Sequence, residues 1–544
     1  MKVNNITPKD FITIFPASLL LGALLASFQP GNWIIGFAAF SFVSLFSFSL
    51  FTLTLRWANA GRTLTYILAL TFLLRLAVGV TLHLALPVYG HADEDDQAGY
   101  VFTDAHTRDD QAWKLASSNR PILDAFNKRY SSDQYGGLLA FNALIYRYLS
   151  PDAQRPFLLI LFSAFFAALG IPFLWKAVSR VFGENVAWAA AWIFALYPES
   201  ILLGAYAMRE PYILTFSSFA LWGFSNFGVQ ELAPGTGSEL PDSKRRFIWL
   251  GLGLLGMMLV STPAALITVV IFAGWLFFAH EKRQLSWLTM ILIAAVFVFG
   301  LIFLSLSLNR AGQFDASSPL SVVNGWLKST ISLTAYRAEG ESGWVQKILG
   351  DRFGDGGYEP SWYRLPFITG YGVFQPVLPA TLIYPTKPIW RIIGIARAAG
   401  WYALLPMLIL SFVAAAGSAS RTTHTERRRS IILWLSLVTW LWILLAALRA
   451  GGDLWDNPRY RAILFVWQSI LAGWVWVWWR ETRNVWFVRL LACEAVFLVI
   501  FTQWYANRYL QVGFQLPFAA MVALILGLWG LILGFGWWRD RSRA

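Results

Sequence analysis

The chain is 544 residues long, 57% hydrophobic and 13% charged, with a formal net charge of +13. This composition excludes an ordinary soluble domain, in which about a quarter of the residues are charged, and the single cysteine excludes an internal disulfide. Apolar stretches of about 20 residues, enough to cross a bilayer, recur along the chain. The sequence therefore predicts an all-α polytopic membrane protein whose positive charge faces anionic lipid and not nucleic acid.

In chain order, the predicted elements are about fourteen transmembrane helices and two long polar segments. The spans lie near residues 11–28, 33–55, 63–86, 156–175, 185–205, 211–228, 247–261, 263–279, 285–307, 397–417, 430–448, 460–479, 485–502 and 511–537. The block 247–279 is divided in two because it is too long for one crossing and is broken at Ser261-Thr262-Pro263. With the N-terminus inside, the inner segments hold about four times as many Lys and Arg residues as the short outer turns, as the positive-inside rule requires.

Both long polar segments then lie outside the cell membrane, and both termini are cytoplasmic. This layout predicts an N-terminal pair of helices (1–62), a core (63–308) with the first external loop (88–155), a second, aromatic-rich external loop (309–396) and a C-terminal helical region (397–544). Short helices are expected at 109–118 and 344–353. The stretch 367–384 is interrupted by Gly and Pro and is expected to lie at the interface without crossing.

The first external loop is crowded with acids, since ten of the chain's 30 Asp and Glu residues lie in it. Carboxylates this close to one another and to a membrane repel and lose solvation, which is typical of a catalytic or metal site. The ten are Asp93, Glu94, Asp95, Asp96, Asp104, Asp109, Asp110, Asp124, Asp133 and Asp152. We expect the active site here, with Asp124 and Asp152 as surface charges.

A metal ion is one alternative for this cluster. His91 and His106 flank the acids, but their spacing matches no standard zinc ligand set. A hard cation, Mg²⁺ or Mn²⁺, held by carboxylates is favoured over zinc, with Asp96, Asp104 and Glu210 as its candidate ligands. The other alternative is that most of these acids are solvated loop charges, and no cofactor is required by the sequence.

Two charged motifs lie at predicted outer membrane edges. Arg209 and Glu210 stand between two spans, where a charged pair is costly unless it is partnered or functional. The alternative is a short turn closed by a salt bridge.

The second motif, Arg459-Tyr460-Arg461, opens a later span on the same side. Arginine on the outer side departs from the positive-inside rule, so a specific role is expected. Binding of a lipid phosphate would account for these arginines, because a guanidinium group can bond two phosphate oxygens at once. Simple salt bridges to Asp453 and Asp456 are the alternative.

Several short motifs follow one another in a distinctive order. They are Asp110-Gln-Ala-Trp113-Lys-Leu-Ala116 (with a poorer counterpart at Asp96-Gln-Ala-Gly-Tyr100), Asp133-Gln-Tyr135-Gly-Gly-Leu138, Tyr197-Pro198-Glu199, Arg209-Glu210 and Asn457-Pro-Arg459-Tyr460-Arg461. This order resembles the GT-C superfamily of integral membrane glycosyltransferases, which includes the protein O-mannosyltransferases and the lipid A aminoarabinose transferases. The match covers about residues 63–480, and both prolines of the family's Tyr-Pro-Pro-Leu stretch are Gly here.

The resemblance implies a hexosyltransferase that moves a sugar from a polyprenyl-phosphate donor to a lipid, glycan or protein acceptor on the outer face. An inverting displacement needs one carboxylate to take the acceptor's proton. Asp110 or Asp109 is the expected base, and Asp104 and Asp96 are the next candidates.

A phosphate leaving group needs positive charge and no proton donor, unlike the leaving group of a glycoside hydrolase. Arg209, Arg459 and Arg461 are the expected phosphate ligands, together with Tyr460. Glu210 is expected to orient Arg209 or to bind a metal.

Two other functions compete with transfer. A polysaccharide polymerase or ligase would also use lipid-linked sugars and outer arginines, but without an acid-rich loop. A lipid or oligosaccharide transporter would show repeated halves and polar groups at mid-membrane. The chain has no visible duplication, and only Arg75 and Glu494 are ionisable at mid-span, so the sequence favours the transferase.

Overall fold

The computed structural model describes residues 7–130, 133–232, 243–279, 287–310, 321, 324–325, 364–417, 423–450 and 455–542. Within these ranges the secondary structure is entirely helical. The helices are α1 (Pro8–Ala26), α2 (Trp33–Ala58), α3 (Gly61–Tyr89), α4 (Glu94–Gln97), α5 (Thr103–Ala116), α6 (Gly137–Leu149), α7 (Pro156–Phe182), α8 (Glu184–Leu196), α9 (Pro198–Gly204), α10 (Glu210–Leu232), α11 (Ser243–Ala279), α12 (Trp287–Arg310), α13 (Arg364–Phe374), α14 (Leu378–Ile383), α15 (Pro388–Gly417), α16 (Thr423–Ala450), α17 (Asp456–Ala462), α18 (Phe465–Thr482), α19 (Val485–Leu510) and α20 (Phe518–Arg541).

Nine of the described helices are long and apolar enough to cross a bilayer when the bent helix α11 is counted once. The number rises to eleven if each of two bent pairs, α8 with α9 and α17 with α18, is one span. The polytopic all-α class is therefore confirmed, and the count of fourteen stays a prediction. The helix expected at 109–118 corresponds to α5, and the one expected at 344–353 lies outside the described residues. At 11 and 6 residues, α13 and α14 are too short to cross.

The chain divides into two compact units. The first contains Met1–Trp326, Arg421–Trp434 and Ile463–Ile470, and the second contains Leu327–Ser420, Leu435–Ala462 and Leu471–Ala544. The segment predicted as the first external loop (88–155) belongs to the first unit. In that unit α7 is deeply buried, since 83% of the residues in its apolar window are buried.

Helix α11 bends back on itself at the break that the sequence predicts. Ser261 has non-helical backbone angles (φ −160°, ψ 93°) two residues before Pro263. The Thr268 hydroxyl lies 3.7 Å from the Met257 sulfur, whereas eleven residues of straight helix would separate them by about 16 Å. The two halves of α11 therefore run side by side, as the predicted pair 247–261 and 263–279 would.

A buried arginine joins the turn between α1 and α2 to the end of the acid-rich loop. Arg155 is 1% exposed and donates to the carbonyl of Asn32 at 2.9 Å and to both carboxylate oxygens of Asp152 at 2.6 and 2.8 Å. The bonds from Arg155, together with one from the Asn32 backbone N–H, lower the pKa of Asp152 to about 2. Asp152, expected as a surface charge, is exposed and also forms the ion pair with Arg155, which the α1–α2 turn joins through Asn32.

Candidate functional site

The acid-rich loop begins by folding back on the end of α3. Asp93 caps α4 by accepting the backbone N–H of Asp96 at 2.9 Å. The Asp96 carboxylate in turn accepts the backbone N–H of His91 at 2.5 Å, and Asp96 is 2% exposed. The structure thus places Asp96 in a closed turn at the end of a predicted membrane span.

A left-handed glycine carries the chain from α4 towards α5. Gly99 has φ +82°, and a Cβ atom there would lie 2.5 Å from the carbonyl oxygen of His83. Its own carbonyl accepts the Tyr206 hydroxyl at 3.2 Å. Only glycine fits this conformation and this close approach without strain.

We expect Gly99→Ala to destabilise the loop by about 2 kcal/mol or more, because it adds a steric clash to the left-handed strain. Gly61→Ala is the matched control: Gly61 has φ +75°, but a Cβ atom added there would meet no other atom within 4 Å. The measurement is thermal unfolding in detergent, together with the rate of proteolysis within the loop. Equal effects of the two substitutions would show that the close approach at Gly99 does not matter.

Asp109 is buried on the inner face of α5, where it is 1% exposed. Its two carboxylate oxygens accept the hydroxyls of Tyr100 and Tyr146, one each. Burial raises the pKa of Asp109 to about 6, although the two hydroxyls and Gln154 act in the opposite direction. Burial and the nearby carboxylate also raise the pKa of both tyrosines well above 10. Asp109 therefore joins α5, α6 and the segment after α4.

Asp110, the next residue, faces the other way. Its side chain is 41% exposed, and it accepts the Gln154 amide at 3.2 Å. The Nε2 atom of His106 lies 4.0 Å away, while the Nδ1 atom of the same ring is 2.7 Å from Asp95. Asp110 is held in position and remains accessible to a ligand. Asp104, in the first turn of α5, is also exposed.

Arg209 lies just before α10 and pairs with Asp133. Its Nη2 atom is 3.2 Å from the Asp133 carboxylate, which is fully buried and also accepts the Leu139 backbone N–H at 3.0 Å. The guanidinium lies over the Tyr135 ring, 5.1 Å from the centroid. The motif Asp133-Gln-Tyr135 and Arg209, which are far apart in sequence, therefore form one structural element. Glu210 follows as the first residue of α10 and is 4% exposed.

The turn that carries Arg209 is bonded to the acid-bearing segment. Arg108, a fully buried residue of α5, donates to the carbonyl of Ala207 at 2.8 Å. The ring of Tyr206 lies 6.0 Å from that of Tyr100, and its hydroxyl reaches the Gly99 carbonyl. These contacts attach the turn 205–209 to α5 and to the segment before it, within the first unit.

The remaining predicted arginines lie on α17, in the second unit. Arg461 is 1% exposed, donates to the carbonyls of Gln375 and, at 3.2 Å, Val373, and stacks on Trp401 with its guanidinium carbon 3.6 Å from the ring centroid. It ties α17 to the end of α13.

Arg459 and Tyr460 both contact Asp456, each at 3.4 Å. This is the salt bridge that the sequence offered as the alternative to a lipid phosphate. The phosphate-binding role of this motif stays a prediction.

The described residues contain no group of three or more His, Cys, Asp or Glu side chains placed to hold a metal ion. Asp96, Asp104 and Glu210 are therefore not gathered as a ligand set there. A role for Mg²⁺ or Mn²⁺ stays a prediction from the sequence.

Sequence reasoning missed three residues of this site: Tyr100 and Tyr146 as partners of Asp109, and Arg108 as the link to the 205–209 turn. Helical periodicity carried a partial signal. The buried residues of α5 recur at three- and four-residue intervals and include both Arg108 and Asp109. That spacing assigns Asp109 to the inner face and Asp110 to the outer one, but it does not identify their partners.

No protein-family model matches the sequence, and no curated protein matches it significantly. Among solved structures, the chain is similar to the archaeal oligosaccharyltransferase AglB from Archaeoglobus fulgidus, in complex with an inhibitory peptide and a dolichol-phosphate. The sequence identity is 14% and the TM-score is 0.41, over 88% of this chain and 55% of that one. The chain thus spans about half the length of that protein.

Proposed function

We propose that this protein is a membrane glycosyltransferase that moves a sugar from a polyprenyl-phosphate donor to an acceptor on the outer face. The observation that carries the proposal is the attachment of the Arg209 turn to the acid-bearing segment, through the bond from Arg108 to Ala207. A carboxylate for the acceptor and a cation for a phosphate are thereby held in one unit, beside predicted membrane spans. Transfer from a lipid phosphate requires these two groups.

In the proposed reaction, Asp110 takes the proton from the acceptor hydroxyl as the oxygen attacks the anomeric carbon. The bond from that carbon to the phosphate oxygen breaks, the configuration inverts, and the phosphate leaves with the bonding electron pair. Arg209 stabilises the negative charge that develops on the phosphate. Asp133 orients Arg209, because its buried carboxylate is only 3.2 Å from the guanidinium.

Asp109 is a positioning residue in this scheme. Asp109 is 1% exposed and both of its oxygens accept phenolic hydroxyls, so an acceptor hydroxyl does not reach it. Its bonds to Tyr100 and Tyr146 hold the α5 backbone, and with it the direction in which Asp110 points. Asp104 and Asp96 remain second candidates for the base.

The test is a reconstitution of the full chain in vesicles that contain a polyprenyl-phosphate sugar labelled in the sugar. The expected result is acceptor-dependent release of polyprenyl phosphate, with the label in a new glycosidic bond. Movement of the intact donor across the bilayer without formation of a new glycosidic bond would contradict transfer and indicate a transporter. Repeated addition of sugar units to a growing lipid-linked chain would indicate a polymerase.

A further inference from the structure

A second feature of the external loop is a cleft of about 390 Å³ where α5 ends against α6. Its lining includes Trp113, Ser118, Asn119, Tyr146 and Arg147. Its volume lies within the range of roughly 300–1,000 Å³ found for small-molecule sites. The cleft is distinct from Asp110 and Arg209, which do not line it.

An aromatic pair forms one wall. The Trp113 ring meets the Tyr146 ring edge to face, with centroids 5.6 Å apart and planes at 85°. Tyr146 is fully buried and hydrogen-bonded to Asp109, so its ring is held in place. Trp113 is only half-buried, so part of its ring is accessible to a ligand. A rigid, partly exposed indole is a surface on which the C–H face of a ligand can stack.

Hydrogen-bonding groups lie beside this wall. Arg147 caps the end of α5: its Nε donates to Ala116 at 3.1 Å, and its Nη2 donates to Leu115 and Ser118 at 2.7 and 3.0 Å. Its Nη1 has no hydrogen bond to any described residue. The exposed amide of Asn119 likewise has no partner within the described part of the chain. The cleft therefore offers a held N–H donor and an amide that both donates and accepts.

A pyranose ring matches this combination. Its hydroxyls donate and accept around the edge, and its C–H groups form an apolar face. An anionic phosphate would need more positive charge to bind. Arg147 is the only cation among the described lining residues, and three of its hydrogen bonds already go to carbonyls. Trp113 stands three residues after Asp110 on the same helix, so the cleft lies about one helical turn from the proposed base.

We propose that this cleft is a saccharide-binding subsite that holds a sugar unit of the acceptor next to Asp110. The acceptor role rests on the proposed transferase function, whereas saccharide binding itself does not.

The test is binding of methyl glycosides and short oligosaccharides to the full chain in nanodiscs without donor, followed by saturation-transfer NMR. Trp113→Ala is expected to raise the Kd about tenfold, and Asn119→Ala several-fold. Trp33→Ala is the control, because it also removes an indole that packs on a neighbouring ring, that of Phe37, and Trp33 does not line the cleft. Asn119→Ala changes only an exposed side chain, so it still tests the proposal if the Trp113 variant does not fold.

The inference is overturned if no glycoside binds, if binding is indifferent to Trp113 and Asn119, or if inorganic phosphate displaces the glycoside. If the protein transfers sugar but no saccharide binds at the cleft, the subsite proposal fails and the transferase proposal stands. If saccharides bind in a Trp113-dependent way but the protein transfers no sugar, the saccharide site stands and the transferase proposal fails.

Discussion

Replacing Asp110 with Asn is expected to lower the rate of sugar transfer by about two to four orders of magnitude, the usual contribution of a general base. The amide keeps the size of the side chain and can still meet the Gln154 amide, but it cannot take a proton. The substitution changes an exposed side chain, so the amount of folded protein should stay at the parent level. The measurement is the initial rate of transfer in proteoliposomes at saturating acceptor.

Asp124→Asn serves as the control, since it also removes a carboxylate from the external loop but one bonded to Asn127, 2.9 Å away. It should retain full activity. Asp96→Asn and Asp104→Asn complete the series. If Asp110→Asn transfers at the parent rate while one of these two is inactive, the base is that other acid.

Replacing Asp109 with Asn is expected to remove a pH dependence from the stability of the protein. The folded-state pKa of about 6 lies above the ordinary value of 3.8 for an aspartate. Between these values the folded protein holds a proton that the unfolded chain has released. The free energy of unfolding therefore falls as the pH rises through this window, by on the order of 3 kcal/mol. The variant, with no carboxyl at this position, should lack that decrease.

The measurement is unfolding in mixed detergent at a pH of about 4.5 and again at about 7.5. Tyr146→Phe is the companion variant. It removes one hydroxyl and should lower stability by about 1 kcal/mol, but it leaves the carboxyl buried and so keeps the pH dependence. A parent-like pH dependence in Asp109→Asn would assign the titration to another group.

The sequence was sufficient for those features that depend on local pattern. Hydropathy located the long helices, and a Ser-Thr-Pro break located the bend in α11. The density of acids located the loop in which α5 lies. Each of these signals comes from residues close together in the chain, so no knowledge of tertiary contacts was needed.

The partners of the site residues could not be predicted in this way. Tyr146 meets Asp109 across 37 residues, and Arg209 meets Asp133 across 76. These pairings depend on how α6 and the 205–209 turn pack on α5, and one sequence carries no record of that packing. For the same reason, Arg461 looked available for a phosphate until its carbonyl partners near α13 were known.

The bend in α11 also bears on how the protein enters its membrane. A segment that doubles back ends on the face from which it started, so it adds an even number of crossings and leaves the parity of the topology unchanged. The 37 residues of α11 leave each half near the lower length limit for a span. The turn between the halves packs against α6 at Gly137, where a Cβ atom would lie 2.3 Å from the Leu259 carbonyl. We therefore expect α11 to insert as a hairpin in a single step, with its turn packed against α6.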